Sequence, residues 1–63
     1  MKAHSTKTLE KVTNSDNLVI SLIENYYSNG KTEFVIKNET NGVVVDSSKT
    51  EKKARILFES YTK

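Results

Sequence analysis

Few residues in this chain could carry chemistry, and they do not cluster. His4 is the only imidazole and there is no cysteine. Metal binding and general-base catalysis both need several converging groups, and His4 has no carboxylate near it at ligand spacing, so it reads as a surface residue. Glu24 and Glu33 could act as an acid and base pair only if a pocket raised the pKa of one of them. A chain of 63 residues has little material for such a pocket. Ser47 and Ser48 have no neighbouring base to activate them. Gly30 and Gly42 each follow an asparagine and belong to no glycine-rich run before a helix, so they mark turns and not a phosphate loop. The expectation is a non-enzyme with no metal and no cofactor, working by binding.

Two sets of side chains could bind. Tyr26, Tyr27 and Phe34 suggest a sheet that stacks single-stranded nucleic acid, but a register of two-residue hairpins turns Tyr27 and Phe34 into the core and leaves Tyr26 alone among glutamates, which repel phosphate. Lys49, Lys52 and Lys53, with Ile56 among them, suggest a basic helix face. Against the second, runs of charge usually mean a solvated surface. Net charge is only +2, so overall electrostatics select no partner.

The elements that would position these residues follow from local patterning. The chain is one domain at most, too small to lean on anything but packing, since it has no disulfide or metal ligand set to staple it. No apolar run is long enough for a membrane span or a signal peptide core, so the cytoplasm is expected, with no membrane partner. Residues 1–17 are polar and read as an arm or an edge strand, with a strand favoured over Thr8 to Thr13. The cluster Asn14-Ser15-Asp16-Asn17 is a turn. Leu18 to Asn29 fits either a helix or a strand. The repeated Asn-Gly pairs, at Asn29-Gly30 and Asn41-Gly42, flank Lys31 to Asn38 at the spacing of a β-meander and favour the strand. Finally, Ser48-Lys49-Thr50-Glu51 has the form of a capping box. It is followed by Ala54, Leu57, Phe58 and Tyr61 at i, i+3, i+4 and i+7, one apolar helical stripe. The expected fold class is α+β: a small antiparallel β-meander of three strands, with a possible fourth at the N-terminus, packed on one C-terminal helix.

If each Asn-Gly is the centre of a two-residue hairpin, the register is set. Ile23 then faces Ile36, Asn25 faces Phe34 and Asn38 faces Val45. The face toward the helix collects Val19, Ile23, Tyr27, Phe34, Ile36, Val43 and Val45. The opposite face collects Ile20, Leu22, Tyr26, Val35 and Val44, interleaved with Glu24, Glu33, Glu39, Asp46, Lys31 and Lys37. One helix cannot cover both sides of a sheet, so Leu22, Glu24, Tyr26, Glu33, Val35 and Asp46 are the expected partner-binding surface. Lys49, Lys52, Lys53 and Ile56 are the alternative.

The strand order and short C-terminal helix resemble small phage or mobile-element proteins that inhibit host machinery, anti-CRISPR proteins among them. The resemblance rests on Glu33 to Asn38, the Asn41-Gly42 turn, Val43 to Asp46 and the helix from Lys49 to Tyr61. It implies a stoichiometric inhibitor whose acidic surface occupies a basic groove of a protein that handles nucleic acid. The alternatives are a module that binds nucleic acid through the helix, and a homodimer formed through the sheet.

Overall fold

The computed structural model describes residues 5–63. His4, rejected above as a chemical group, lies outside them. Four strands, β1 (Ser5–Thr13), β2 (Val19–Tyr26), β3 (Thr32–Asn38) and β4 (Val43–Ser48), precede one helix, α1 (Glu51–Tyr61). The strands form a single antiparallel meander in the order β1-β2-β3-β4. This is the expected α+β architecture, with the fourth strand present and residues 18–29 resolved as strand and turn. β1 is longer than expected and pairs with β2 over almost its whole length, so Ser5–Thr13 is part of the sheet.

The turns explain the register. Tyr27 N–H donates to the Lys31 carbonyl at 2.9 Å and Gly30 N–H to the Tyr27 carbonyl at 3.0 Å. That is a three-residue loop, Ser28-Asn29-Gly30, with Gly30 at φ 84°, the arrangement in which a type I turn ends in a left-handed residue. The first hairpin repeats it: Asn14 N–H bonds the Leu18 carbonyl, Asn17 N–H bonds the Asn14 carbonyl, and Asn17 takes φ 65°. Asparagine tolerates that conformation, and the Asn14 side-chain oxygen accepts from Asp16 and Leu18 N–H, holding the turn. At the third turn Gly42 N–H reaches the Asn38 carbonyl at 2.8 Å, closing the loop between β3 and β4, with Gly42 at φ 75°. Both glycines have the expected positive φ, but neither loop is the expected two-residue one.

A Cβ at either glycine would meet nothing within 4 Å. Replacement costs backbone strain alone. Gly30→Ala and Gly42→Ala should each destabilise by about 1 kcal/mol in urea titration, and Gly30→Asn by less. Equal stability of all three variants with the parent would contradict the assigned turn conformations.

One extra loop residue moves β2 by one position relative to β3. Leu22 pairs with Ile36, Glu24 with Phe34 and Ile23 with Val35. Because side chains alternate, a slip of one residue transfers every side chain to the other face. The core is therefore Ile20, Leu22, Phe34, Ile36, Ala54 and Phe58, with Leu9, Val12, Leu18, Val45 and Leu57 partly buried around it. Phe34, Ile36 and Val45 were placed correctly. Val19, Ile23 and Tyr27 were not, and Ile20 and Leu22 take their place inside. Val43 is about half exposed at the sheet end. A bulge between β3 and β4 leaves Val45 between the pairs Lys37–Val44 and Ile36–Asp46, and so turns Asp46 to the helix side.

The helix begins two residues later than the capping box suggests. Thr50 is the N-cap, its hydroxyl accepting from Lys53 N–H at 3.4 Å, while Ser48 accepts from Thr50 N–H at 3.2 Å and shapes the approach. The apolar stripe docks as expected, with Ala54 and Phe58 buried. At the far end, Asn14 Nδ2 donates to the Tyr61 carbonyl at 3.2 Å and Ser15 Oγ to the Lys63 carbonyl at 2.8 Å. The first turn thus supplies a donor to the Tyr61 carbonyl, which the helix end leaves without an intrahelical partner, and a second to the residue beyond the C-cap, tying the end of α1 to the first hairpin.

Candidate interaction surfaces

The six residues expected to share a partner-binding face do not share one. Leu22 is fully buried beneath the helix, so it is unavailable to any partner. Glu24 and Tyr26 lie on the helix side of β2, and the Tyr26 hydroxyl donates to the Glu24 carboxylate. Asp46 also lies on the helix side, where it accepts from the Tyr61 hydroxyl at 3.3 Å. Only Glu33 and Val35 face away from the helix. An acidic and aromatic sheet face therefore does not form, for the reason given above: the β2–β3 loop has three residues and the β3–β4 pairing carries a bulge.

The face that the helix leaves open is different in character. Its centre is the cross-strand pair Ile23–Val35, flanked in register by Thr8 on β1 and Ser47 on β4. On one side of that row stand Lys11, Ser21, Lys37 and Val44, and on the other Thr6, Asn25 and Glu33. Val19 extends the apolar centre toward the first turn. Ser21 is fully buried even here, its hydroxyl donating to Glu39 Oε1 at 2.7 Å. The Tyr27 hydroxyl donates to Glu33 Oε1 at 3.0 Å. The surface is aliphatic at its centre and mixed in charge at its rim.

Charges are distributed unequally between engaged and free groups. Most carboxylates are tied to the protein's own donors: Glu10 and Glu51 to Arg55, Glu24, Glu33 and Asp46 to tyrosines, and Glu39 to Ser21. Both ion pairs among the described residues belong to Arg55, at 3.5 and 2.8 Å, and the Glu51 hydrogen bond raises its pKa further. No lysine among the described residues forms an ion pair. The pKa values of Tyr26 and Tyr27 are raised chiefly by their hydrogen bonds to Glu24 and Glu33, and that of Tyr61 chiefly by desolvation, helped by Asp46. All three hydroxyls donate to carboxylates of the same chain.

Lys49, Lys52, Lys53 and Ile56 are exposed on α1 and the segment before it, as expected, with Ile56 at 62% exposure. An open depression of about 380 Å³ lies by the β2–β3 loop, lined by Tyr27, Asn29, Lys31, Thr32, Glu33 and Lys49. The hydrogen-bonded pair Tyr27–Glu33 lies in its wall. Among the described residues there is no cluster of three His, Cys, Asp or Glu side chains that could hold a metal, and no helix long and apolar enough to cross a membrane.

Fold and surface define the class: an antiparallel four-stranded meander with one face packed on a helix and the other bare. No family model matches the chain, and neither a curated protein nor a solved structure matches it.

Proposed function

We propose that this protein is a non-enzymatic binding module that docks another protein on its bare sheet face. One observation carries the proposal. The helix packs on one side of the sheet, and the other side leaves Val19, Ile23, Val35 and Val44 together across three adjacent strands without a covering layer. An aliphatic patch rimmed by polar groups is the usual form of an interaction site on a small protein. The inhibitor role implied by the resemblance to phage proteins fits such a module. Its acidic-mimic version does not, because Glu24 and Asp46 sit on the opposite side from Glu33.

A second reading has its own support. The lysines at the start of α1, without ion-pair partners while most carboxylates are engaged, suit a polyanion such as nucleic acid. One experiment separates the two. The parent, Ile23→Lys, and the double variant Lys52→Glu/Lys53→Glu are immobilised in turn and exposed to host extract and to labelled nucleic acid at two salt concentrations. Loss of a retained protein with Ile23→Lys alone is the expected result. Retention by Ile23→Lys, with loss of a salt-sensitive nucleic-acid complex in the lysine variant, would move the function to the helix.

A further inference from the structure

The bare face has an internal symmetry that nominates its occupant. On β3 the buried residues Phe34, Ile36 and Asn38 alternate with half-buried Glu33, Val35 and Lys37, which all point away from the helix. Glu33 and Lys37 thus flank Val35 at equal distances on one strand, with opposite charge. On β2 the uncharged Asn25 and Ser21 flank Ile23 in register with them.

We infer that the protein docked on this face is a second copy of the same chain, related by a twofold axis that lies in the interface and crosses β3 at Val35. The inference rests on the proposal that the bare face is a docking surface. A twofold in that direction runs each strand antiparallel to its counterpart in the facing sheet, the aligned mode of sheet packing. It sets Val35 on Val35 and Ile23 on Ile23 of the partner copy, and places each Glu33 against the partner copy's Lys37. Twofold interfaces must be self-complementary in this way. An axis running along the strands would instead bring Lys37 beside lysines, which costs energy.

The available area sets the strength. Four strands about 4.8 Å apart, overlapping for roughly six residues at about 3.3 Å each, give a footprint of about 20 Å by 20 Å. That is below the size of a standard stable interface, so a reversible dimer is expected.

Sedimentation equilibrium over about 10 μM to 1 mM, the range suited to such a weak contact, tests the inference, with a melting curve recorded for every variant. The parent should dimerise within that range. Val35→Lys should abolish dimerisation, and Lys37→Glu should weaken it by about tenfold or more, since it sets carboxylates against each other. The swap Glu33→Lys/Lys37→Glu should recover most of the affinity, because the reversed pattern is again self-complementary. Lys52→Glu, on the outer surface of α1, should leave it unchanged. A parent that stays monomeric throughout, or a dimer indifferent to Val35→Lys, or a swap no better than Lys37→Glu alone, would overturn the inference. If the parent is monomeric while Ile23→Lys still loses a retained host protein, the self-pairing falls and the docking face stands.

Discussion

Leu22→Lys will leave the chain unfolded, while Ile23→Lys, one residue along, will fold. Leu22 has no solvent exposure and sits under the helix against Ile36. An unpaired ammonium there meets no partner, and burying it costs several kcal/mol. A single small core without staples supplies only about 3 to 5 kcal/mol of net stability, so the substitution exceeds what the fold can absorb. Ile23 points to the bare face, where a lysine stem can lie along the sheet and its head reach water. Circular dichroism and the dispersion of amide resonances distinguish the two outcomes. The opposite pattern, with Ile23→Lys unfolded and Leu22→Lys folded, would restore the two-residue hairpin register and reject the one described.

Phe58→Ala should cost about 3 kcal/mol or more, the usual effect of emptying a buried phenylalanine site. Phe58 is 4% exposed and stands with Ala54 against β2 and β3, where the stripe of α1 meets the sheet. Its neighbours are held in place by the sheet on one side and by the Asn14 and Ser15 bonds to the helix end on the other. The cavity therefore has little freedom to collapse. Ile56→Ala, on the solvent side of the same helix, should change stability by less than about 0.5 kcal/mol. Urea midpoints of the two variants give the comparison, and a Phe58→Ala midpoint close to that of Ile56→Ala would refute the docking of α1.

The two predictions differ in how far the sequence alone could reach them. Phe58 was legible because α1 has one apolar stripe, and a helix with one stripe has one way to face a sheet. Leu22 was misassigned because β2 is apolar on both sides: Ile20 and Leu22 alternate with Val19 and Ile23, so hydrophobicity does not say which pair goes in. Its face was inferred from the turn instead. Asn29-Gly30 fits the centre of a two-residue hairpin, and it also fits the last two positions of a three-residue loop, with Gly30 at positive φ in both. The Asn14–Leu18 turn uses that second geometry without any glycine, and in that sense it was the available hint.

The candidate site was less legible than the fold because it depends on parity. The helix was expected to start from a cap at Ser48 and proved to start from Thr50, a shift of two residues at a helix end with no consequence for which face of the helix is buried. The same order of error in a strand is decisive, since one residue exchanges inside for outside. Glu24, Tyr26 and Asp46 left the expected surface for this reason, and Glu33 and Val35 remained on it.

Residue types and spacing alone determined the order of β3, β4 and α1, the positive φ at both glycines and the buried stripe of the helix, because each depends on pattern within a few residues along the chain. Tertiary structure decided which face of β2 is buried, that β1 completes the sheet, and that the carboxylates bind the protein's own tyrosines, serine and arginine. Those outcomes turn on the choice between near-equivalent loop geometries, on the register shifts at Leu9 in β1 and Val45 in β4, and on the docking of α1 against β2, β3 and β4. Each of these is a balance of packing between residues far apart in the chain, and local pattern does not contain it.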